Sequence, residues 1–379
     1  MIYADNAATT KMSNEALKVL NDYLMDNYGN SSSSHLLGRR AKDALVKARE
    51  IVAKEINCFP SEILFTSGGS ESITQAILSA AAWGKQNDKM HIISSKIEHK
   101  AALNVLRSLE NEGFKVDYIL PDNKGVIRVE DIKESINDKT ALVNIMYVNN
   151  EIGSIQPIDE IGCICCEYGA LFHSDCVQAI THLDLDVKRS KLSFASFSAH
   201  KFHGSKGVGF LYYNKGLTLK SVVYGGSQER GYRGGTENVA SILSMAEALR
   251  FENSNRNNNL EYIKTLKQNL EKKLLTIEGA FLNGGKNSRI PTIINIGFKG
   301  VLAEDLLLIL DKKKIFISAG SACTSGSIEP SHVLLALGLN KAEANNSIRI
   351  SLSRFNEEKE IDEIYNSIVE AVNLLRSYN

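Results

Sequence analysis

The chain has 379 residues, 43% of them hydrophobic and 23% charged, with Lys plus Arg and Asp plus Glu balanced at 44 each. That length exceeds one ordinary hydrophobic core, so a large domain with a smaller companion is expected. A zero net charge provides no field for nucleic acid or an anionic membrane, no apolar run reaches the ~20 residues a bilayer requires, and six cysteines with no export signal at Met1–Asn6 point to reduced thiols in the cytoplasm.

From Ala41 the pattern runs helix, strand, helix: Ala41–Ile56, Ile63–Thr66 and Glu71–Trp83. Further strands are predicted at His91–Ser94, Lys115–Leu120, Ala141–Tyr147, Leu171–Ser174, Phe194–Phe197 and Gly209–Tyr213. Helices fill most gaps, including Lys100–Glu112 and Ile158–Tyr168. Such alternation predicts an α/β fold, a mostly parallel sheet covered by helices on both faces. The composition changes after Arg250. Asn253–Asn259 is polar and Asn-rich, compatible with a linker or with the exposed turn of a long helix. A helical run Leu260–Ile277 follows, then a strand Thr292–Phe298, a helix Ala303–Lys312, a strand Ser347–Leu352 and a closing helix Glu357–Arg376. The expected division is a large α/β domain over residues 16–255 and a small α+β domain made of residues 1–15 and 256–379, with its boundary near residue 255.

Three strand ends carry chemistry. Phe65-Thr66-Ser67-Gly68-Gly69-Ser70-Glu71-Ser72 follows a strand, and its glycines leave backbone N–H groups unobstructed. With Ser70 expected at the N-cap of the next helix, it suits a bound phosphate, or it is a plain serine-capped turn. His173-Ser174-Asp175-Cys176-Val177-Gln178 ends another strand, where Asp175 suits a protonated pyridine nitrogen and Gln178 a neighbouring oxygen, unless Asp175 merely caps a helix. Ser196–Gly207 places Lys201 among Ser, His and Gly after a third strand, a setting for Schiff-base chemistry or for an ordinary surface lysine. A phosphate turn, an Asp and a Lys in that order at strand ends of one sheet is what pyridoxal phosphate requires. His99 follows a strand and suits stacking on a cofactor ring or a helix cap; Arg349 suits a substrate carboxylate or a structural ion pair. Cys323 lies in Ile317–Ser327, a run of small residues expected to form a mobile loop, where it is either a reactive accessible thiol or an incidental loop cysteine. Cys163, Cys165 and Cys166 fall in a helix with no histidine at ligand spacing, so they are expected to serve packing rather than a metal.

Nearly end to end, the chain resembles the cysteine desulfurases of the pyridoxal-phosphate-dependent fold-type I superfamily, in their long-loop group. The residues that carry the resemblance are Tyr3–Thr10, Tyr28-Gly29-Asn30, Thr66–Glu71, Val148–Gly153, the Asp175/Gln178 and Lys201 segments, Arg230–Asn238, Gly320–Thr324 and Ser347-Ile348-Arg349. The resemblance implies that the large domain binds the cofactor and that the small one carries the Cys323 loop. It implies Lys201 as the Schiff-base lysine, Asp175 on the pyridine nitrogen, Gln178 on the ring hydroxyl, and His99 stacked on the ring as an acid/base. Gly69, Ser70, Ser198 and His200 would hold the phosphate, joined by Thr236 from the second subunit of a homodimer. Asn150, also beside the cofactor, would position the substrate with Asn30 and Arg349, and Cys323 would be the nucleophile.

The implied activity converts L-cysteine to L-alanine, leaving a persulfide on Cys323. Its sulfur would pass to an acceptor, either an iron–sulfur scaffold with which Cys323 would share a cluster or a thiocofactor or tRNA-thiolation enzyme. Neither direct nucleic-acid contact nor a membrane is expected. A selenocysteine lyase, another class-V enzyme and a catalytically weak scaffold or regulator are the alternatives, the last disfavoured because Lys201, Asp175, His99 and Cys323 all remain. Ser31 and Ser205 stand where the family has proline, an exchange expected to loosen both turns. Ile73-Thr74 replaces a more polar pair, and Cys176 takes a place usually held by alanine.

Overall fold

The computed structural model describes residues 1–285, 288–320 and 329–378. The first half runs β1 (Ile2–Tyr3), α1 (Asn14–Asp26), α2 (Leu36–Glu55), β2 (Ile63–Thr66), α3 (Gly69–Gln86), β3 (His91–Ser95), α4 (Lys100–Asn111), β4 (Lys115–Ile119), α5 (Val129–Ser135), β5 (Thr140–Asn144), α6 (Ile158–Glu167) and β6 (Leu171–Asp175). It continues with β7 (Phe194–Ser198), β8 (Gly209–Tyr213), α7 (Val239–Ser254), α8 (Arg256–Leu274), β9 (Ala280–Leu282), β10 (Ile293–Phe298), α9 (Ala303–Lys312), β11 (Ile315–Phe316), α10 (His332–Ala336), α11 (Lys341–Asn345), β12 (Ser347–Ser351) and α12 (Glu358–Ser377).

Seven strands form one sheet in the order β2-β8-β7-β6-β5-β3-β4. The pairs β4–β3, β3–β5, β5–β6 and β6–β7 are parallel, whereas β8 runs antiparallel to both β7 and β2. Every residue of β3, β5 and β7 is buried, as strands covered by helices on both faces must be. Strand β4, at the edge, opens on exposed Lys115 and is only half-buried beyond it. The predicted strand Ala141–Tyr147 ends earlier as a ladder, at Asn144, but Ile145 and Tyr147 still donate to the carbonyls of His173 and Asp175 on β6.

A second core gathers Ile263 and Leu266 of α8, Leu306 and Leu310 of α9, and Ile361, Ile364 and Ile368 of α12 around the antiparallel sheet β12-β10-β9. Strand β1 pairs in parallel with β11, which brings Ile2 and Ala4 into this core, while Ala7 already packs in the larger one. The chain therefore crosses between the two cores at Asp5–Ala7, past β12.

The Asn-rich stretch is neither a linker nor one long helix. Helix α7 ends at Ser254 and α8 begins at Arg256, with Asn255 alone between them at φ −107° and ψ 5°. Its side-chain amide donates to the Phe251 carbonyl at 2.9 Å, so the side chain supplies the turn and breaks the helix. Helix α2 starts at Leu36, earlier than predicted, because the His35 ring accepts from the Gly38 N–H. In α6 only Cys165 is buried; Cys163 and Cys166 are exposed, so the expected packing role holds for one cysteine of the three. Among the described residues no group of three or more His, Cys, Asp and Glu side chains is placed to hold a metal.

Candidate active site

The carboxyl ends of the central strands open into a cavity of about 200 Å³, several times the ~30 Å³ share of one water. Gly69, Ser70, His99, Asn150, Asp175, Gln178, Ser198, His200, Lys201 and Arg349 all line it. Most of them arrive from the ends of β2, β3, β6 and β7, the place where open α/β sheets hold their ligands, and Arg349 comes from β12.

At one end of the cavity lies the first turn of α3. The helix is capped by Gly68 and starts at Gly69, so Ser70 is its second residue and not the cap that the sequence suggests. Gly68 has φ +153° and ψ −172°, a conformation essentially reserved for glycine. A Cβ on Gly69 would come within 3.0 Å of Val177 Cγ2, so a larger residue would crowd the cavity wall. The first N–H groups of α3 have no helical carbonyl to meet and carry the positive end of the helix dipole. Ser198 and His200 stand beside them. Burial, then the Lys201 and Lys206 charges, pull His200 down to about 4, so it is a neutral ring at physiological pH. Its Nδ1 lies 3.1 Å from Thr9 Oγ1.

Asp175 closes β6, is 6% exposed, and accepts the Val177 N–H at Oδ1 (2.9 Å). Burial raises its carboxyl above the ordinary range, against the opposing pull of His99, of the Val177 N–H and of Lys201. A carboxylate sunk in a cavity wall requires a cationic or N–H partner. Lys201 ends a short 3-10 turn, Ala199–Lys201, directly after β7. Its Nζ donates to the carbonyls of Ala7 (2.6 Å) and Ala8 (2.8 Å), and Gln178 Nε2 donates to the same Ala7 oxygen at 2.9 Å. His99 is both helix cap and cavity residue: Nδ1 accepts the Ala101 N–H at 3.1 Å, which puts the proton of a neutral ring on Nε2.

Arg349, 1% exposed in the middle of β12, makes the structural ion pair and also lines the cavity. Nη2 donates to Asp5 Oδ1 (2.8 Å), Nη1 to the Asn150 carbonyl (2.9 Å), and the buried Nε has no partner among the described residues. Asn30 and Thr236 are exposed and do not line the cavity. Their segments nevertheless meet, through Ser31 Oγ donating to Glu237 Oε2 at 2.7 Å. That bond, and the 3.2 Å bond from Ser205 to Ser244 of α7, tie down the two turns whose missing prolines were expected to loosen them. Cys176 is fully buried and burial pushes its thiol up, so it stays protonated beside Asp175. Cys323 lies outside the described residues. On either side of its segment, Ser318 pairs with the backbone of Arg349 and Ser331 Oγ donates to buried Glu151.

Ala7, Ala8 and Asp5 were not legible as site residues from local sequence, since their partners are about 170 to 340 positions away. Glu98, beneath the cavity, was missed as well; its only local signal is that it directly precedes His99.

A family model described as aminotransferase class-V matches residues 2–364. The chain belongs to the class-V aminotransferase family. Pyridoxal phosphate is accordingly its cofactor, and the chemistry of the cavity fits such a group: helix N–H groups with no helical carbonyl to meet, beside Ser198 and His200, suit a phosphate, buried Asp175 suits a cationic ring nitrogen, and Lys201 offers an amine. It is 44% identical over 364 residues to a protein of Clostridium botulinum named cysteine desulfurase IscS, covering 95% of this chain and 91% of that one. Identity to the cysteine desulfurase IscS of Methanosarcina thermophila is 40% over 376 residues, covering 99% and 93%. Among solved structures, a NifS-like protein superposes with a TM-score of 0.93 at 34% identity, covering 98% of this chain and 99% of that one. The structure titled SspA in complex with cysteine has a TM-score of 0.83 at 34% identity, covering 94% and 100%.

Proposed function

We propose that this class-V enzyme is a cysteine desulfurase, taking sulfur from L-cysteine, releasing L-alanine and passing the sulfur through Cys323 to an acceptor protein. The observation that carries the proposal is the convergence of Lys201, Asp175, His99 and Arg349 on one cavity in a chain 44% identical to a named cysteine desulfurase. Bound pyridoxal phosphate supplies an electron sink that makes the substrate's Cα–H acidic.

The protein's own residues do the rest. Arg349 receives the substrate carboxylate on a guanidinium already oriented by Asp5 and the Asn150 carbonyl. Lys201 Nζ, held by two carbonyls, would be the amine that holds the cofactor and the base that accepts the substrate's Cα proton. Asp175 would face the ring nitrogen from the end of β6, and the His99 ring, fixed through Nδ1, handles a proton at Nε2. A thiolate at Cys323 attacks the substrate sulfur; the new S–S bond forms as the C–S bond breaks, and the carbon left behind takes a proton to become the methyl of alanine. His173, also buried, is pushed down to about 3 and serves as an uncharged strut between Asn144 and Ser196 rather than as a base.

We also propose a homodimer in which the exposed segment around Thr236, joined to the Asn30 turn by the Ser31–Glu237 bond, reaches the second subunit's cavity. An iron–sulfur scaffold or a thiolation enzyme in the cytoplasm is the proposed acceptor; no helix of the described residues is long and apolar enough to cross a membrane. The test is Cys323→Ala. The variant should keep bound cofactor and its visible absorbance yet lose sulfide release from cysteine with a reductant present. Sulfide at the wild-type rate would remove Cys323 from the mechanism.

A further inference from the structure

His99 enters the cavity from the short connection between β3 and α4, and that connection is fastened by the residue before it. Glu98 is 1% exposed. Its Oε1 accepts two hydrogen bonds, from Ser95 Oγ at 2.6 Å and from the Met146 N–H at 3.0 Å, while the buried Oε2 has no partner among the described residues. Met146 is itself a wall of the cavity. Two further bonds pin the same stretch: Asn149 Nδ2 donates to the Ile97 carbonyl at 2.9 Å, and His332 Nε2 lies 3.0 Å from the Glu98 carbonyl.

We propose that Glu98 is a positioning residue for His99: its carboxyl ties the end of β3 to the Met146 wall and so fixes the direction in which the imidazole enters the cavity. The catalytic bearing of this inference rests on the desulfurase reading; its structural arm does not. A surface carboxylate would form such a clamp with little effect, but a buried acceptor that loses its two donors changes the local backbone. The charged and titratable groups around it are Asp175 at the end of β6, His99 at the cap of α4, His332 on α10, and His173 through Asn144. Burial, reinforced by Asp175, pushes the Glu98 carboxyl up to about 8 although the Ser95 and Met146 bonds pull the other way. Glu98 therefore works as an uncharged acid at neutral pH and does not compete with Asp175 for a cationic partner.

The test compares Glu98→Ala with Glu98→Gln, which retains the acceptor oxygen and the neutral state. In cofactor-free protein, amide hydrogen exchange at Met146 should speed up at least about 10-fold in the alanine variant and stay near wild type in the glutamine variant. In cofactor-loaded protein the alanine variant should show an altered visible circular dichroism band and a kcat about 10- to 100-fold lower, with KM for cysteine within about 3-fold; glutamine should restore each. An unchanged dichroism band and kcat in Glu98→Ala, or a glutamine variant as impaired as alanine, overturns the proposal. Should Glu98→Ala fail to fold, Ser95→Ala, which removes one donor, must shift the same band, and an unshifted band then overturns it. Absence of desulfurase activity in the wild type would sink the functional reading and leave the exchange result to decide this one.

Discussion

At the scale of single residues, the site is set by burial and by backbone groups that hold its polar side chains in place. Lys201 is tethered to two backbone carbonyls, and Asp175 is buried where only a cation or an N–H can answer it. Lys201→Ala should therefore abolish the visible absorbance of the cofactor-loaded protein; a variant that keeps the wild-type band would remove Lys201 from its role. Asp5 and Arg349 form an ion pair with side-chain exposures of 16% and 1%. Asp5→Ala leaves that buried guanidinium uncompensated and should cost about 3 kcal/mol in urea unfolding, with Asp5→Asn recovering most of it. A loss below about 0.5 kcal/mol would mean that the pair behaves like a surface contact. For Glu98, the native carboxyl keeps its proton up to about 8, whereas the unfolded chain releases it near the ordinary value of 4.5. The wild type should then lose stability relative to Glu98→Gln as pH rises between those values, by up to ~1.4 kcal/mol per unit. Parallel pH curves for the two proteins would contradict this.

At the scale of elements, much was legible because periodicity is local. Strands β2 and β8 and helix α9 lie where hydrophobic pattern puts them, and the other major elements differ mainly at their ends. The ends are where the sequence misleads, because caps compete there. Ser70 looks like the cap of α3, yet Gly68 takes that position, its backbone conformation being one that serine cannot adopt. Asn255 looks like part of a linker, yet its amide makes a one-residue joint. The candidate site divides in the same way. Asp175 and Lys201 were visible as polar residues at strand ends, whereas the Ala7–Ala8 carbonyls that hold Lys201 depend on a crossing between two cores. Gly209 tests this level. It opens β8 opposite Ser198, and a Cβ there would lie 2.3 Å from the Phe197 carbonyl oxygen and 2.8 Å from the Gly68 Cα. Both contacts are backbone, so Gly209→Ala must push β8 away from the phosphate turn. We expect a loss of about 2 kcal/mol or more in stability together with weaker cofactor retention. Wild-type retention would show that the turn is not braced by β8.

At the scale of the whole molecule, two cores are joined through β1, β12 and the Asn255 joint; Ile2 and Ala4 pack with the core of residues 256–379, whereas Ala7, Met12 and Ala16 pack in the larger one, so the boundary expected after residue 15 falls instead at the Asp5–Ala7 crossing. The cavity lies where the crossing segment Asp5–Ala8 and β12 of the second core meet the strand ends of the first. Buried histidines set the acid limit of this assembly. His173 is pushed down to about 3 and His200 and His203 to about 4, all by burial first. Below pH 6.5 the unfolded chain takes up protons that these rings refuse, so stability is lost as pH falls from 6.5 toward 4. With Glu98 acting in the opposite sense above 4.5, the thermal midpoint should rise to near pH 6.5 and then level or fall. A midpoint rising steadily to pH 8 would contradict that balance. The central claim is sulfur transfer, and it is tested most directly by incubating the cofactor-loaded protein with L-cysteine, quantifying alanine, and weighing the protein by mass spectrometry. The account predicts stoichiometric alanine and one added sulfur mapped to Cys323. Alanine without sulfur on Cys323, or no alanine at all, would contradict it.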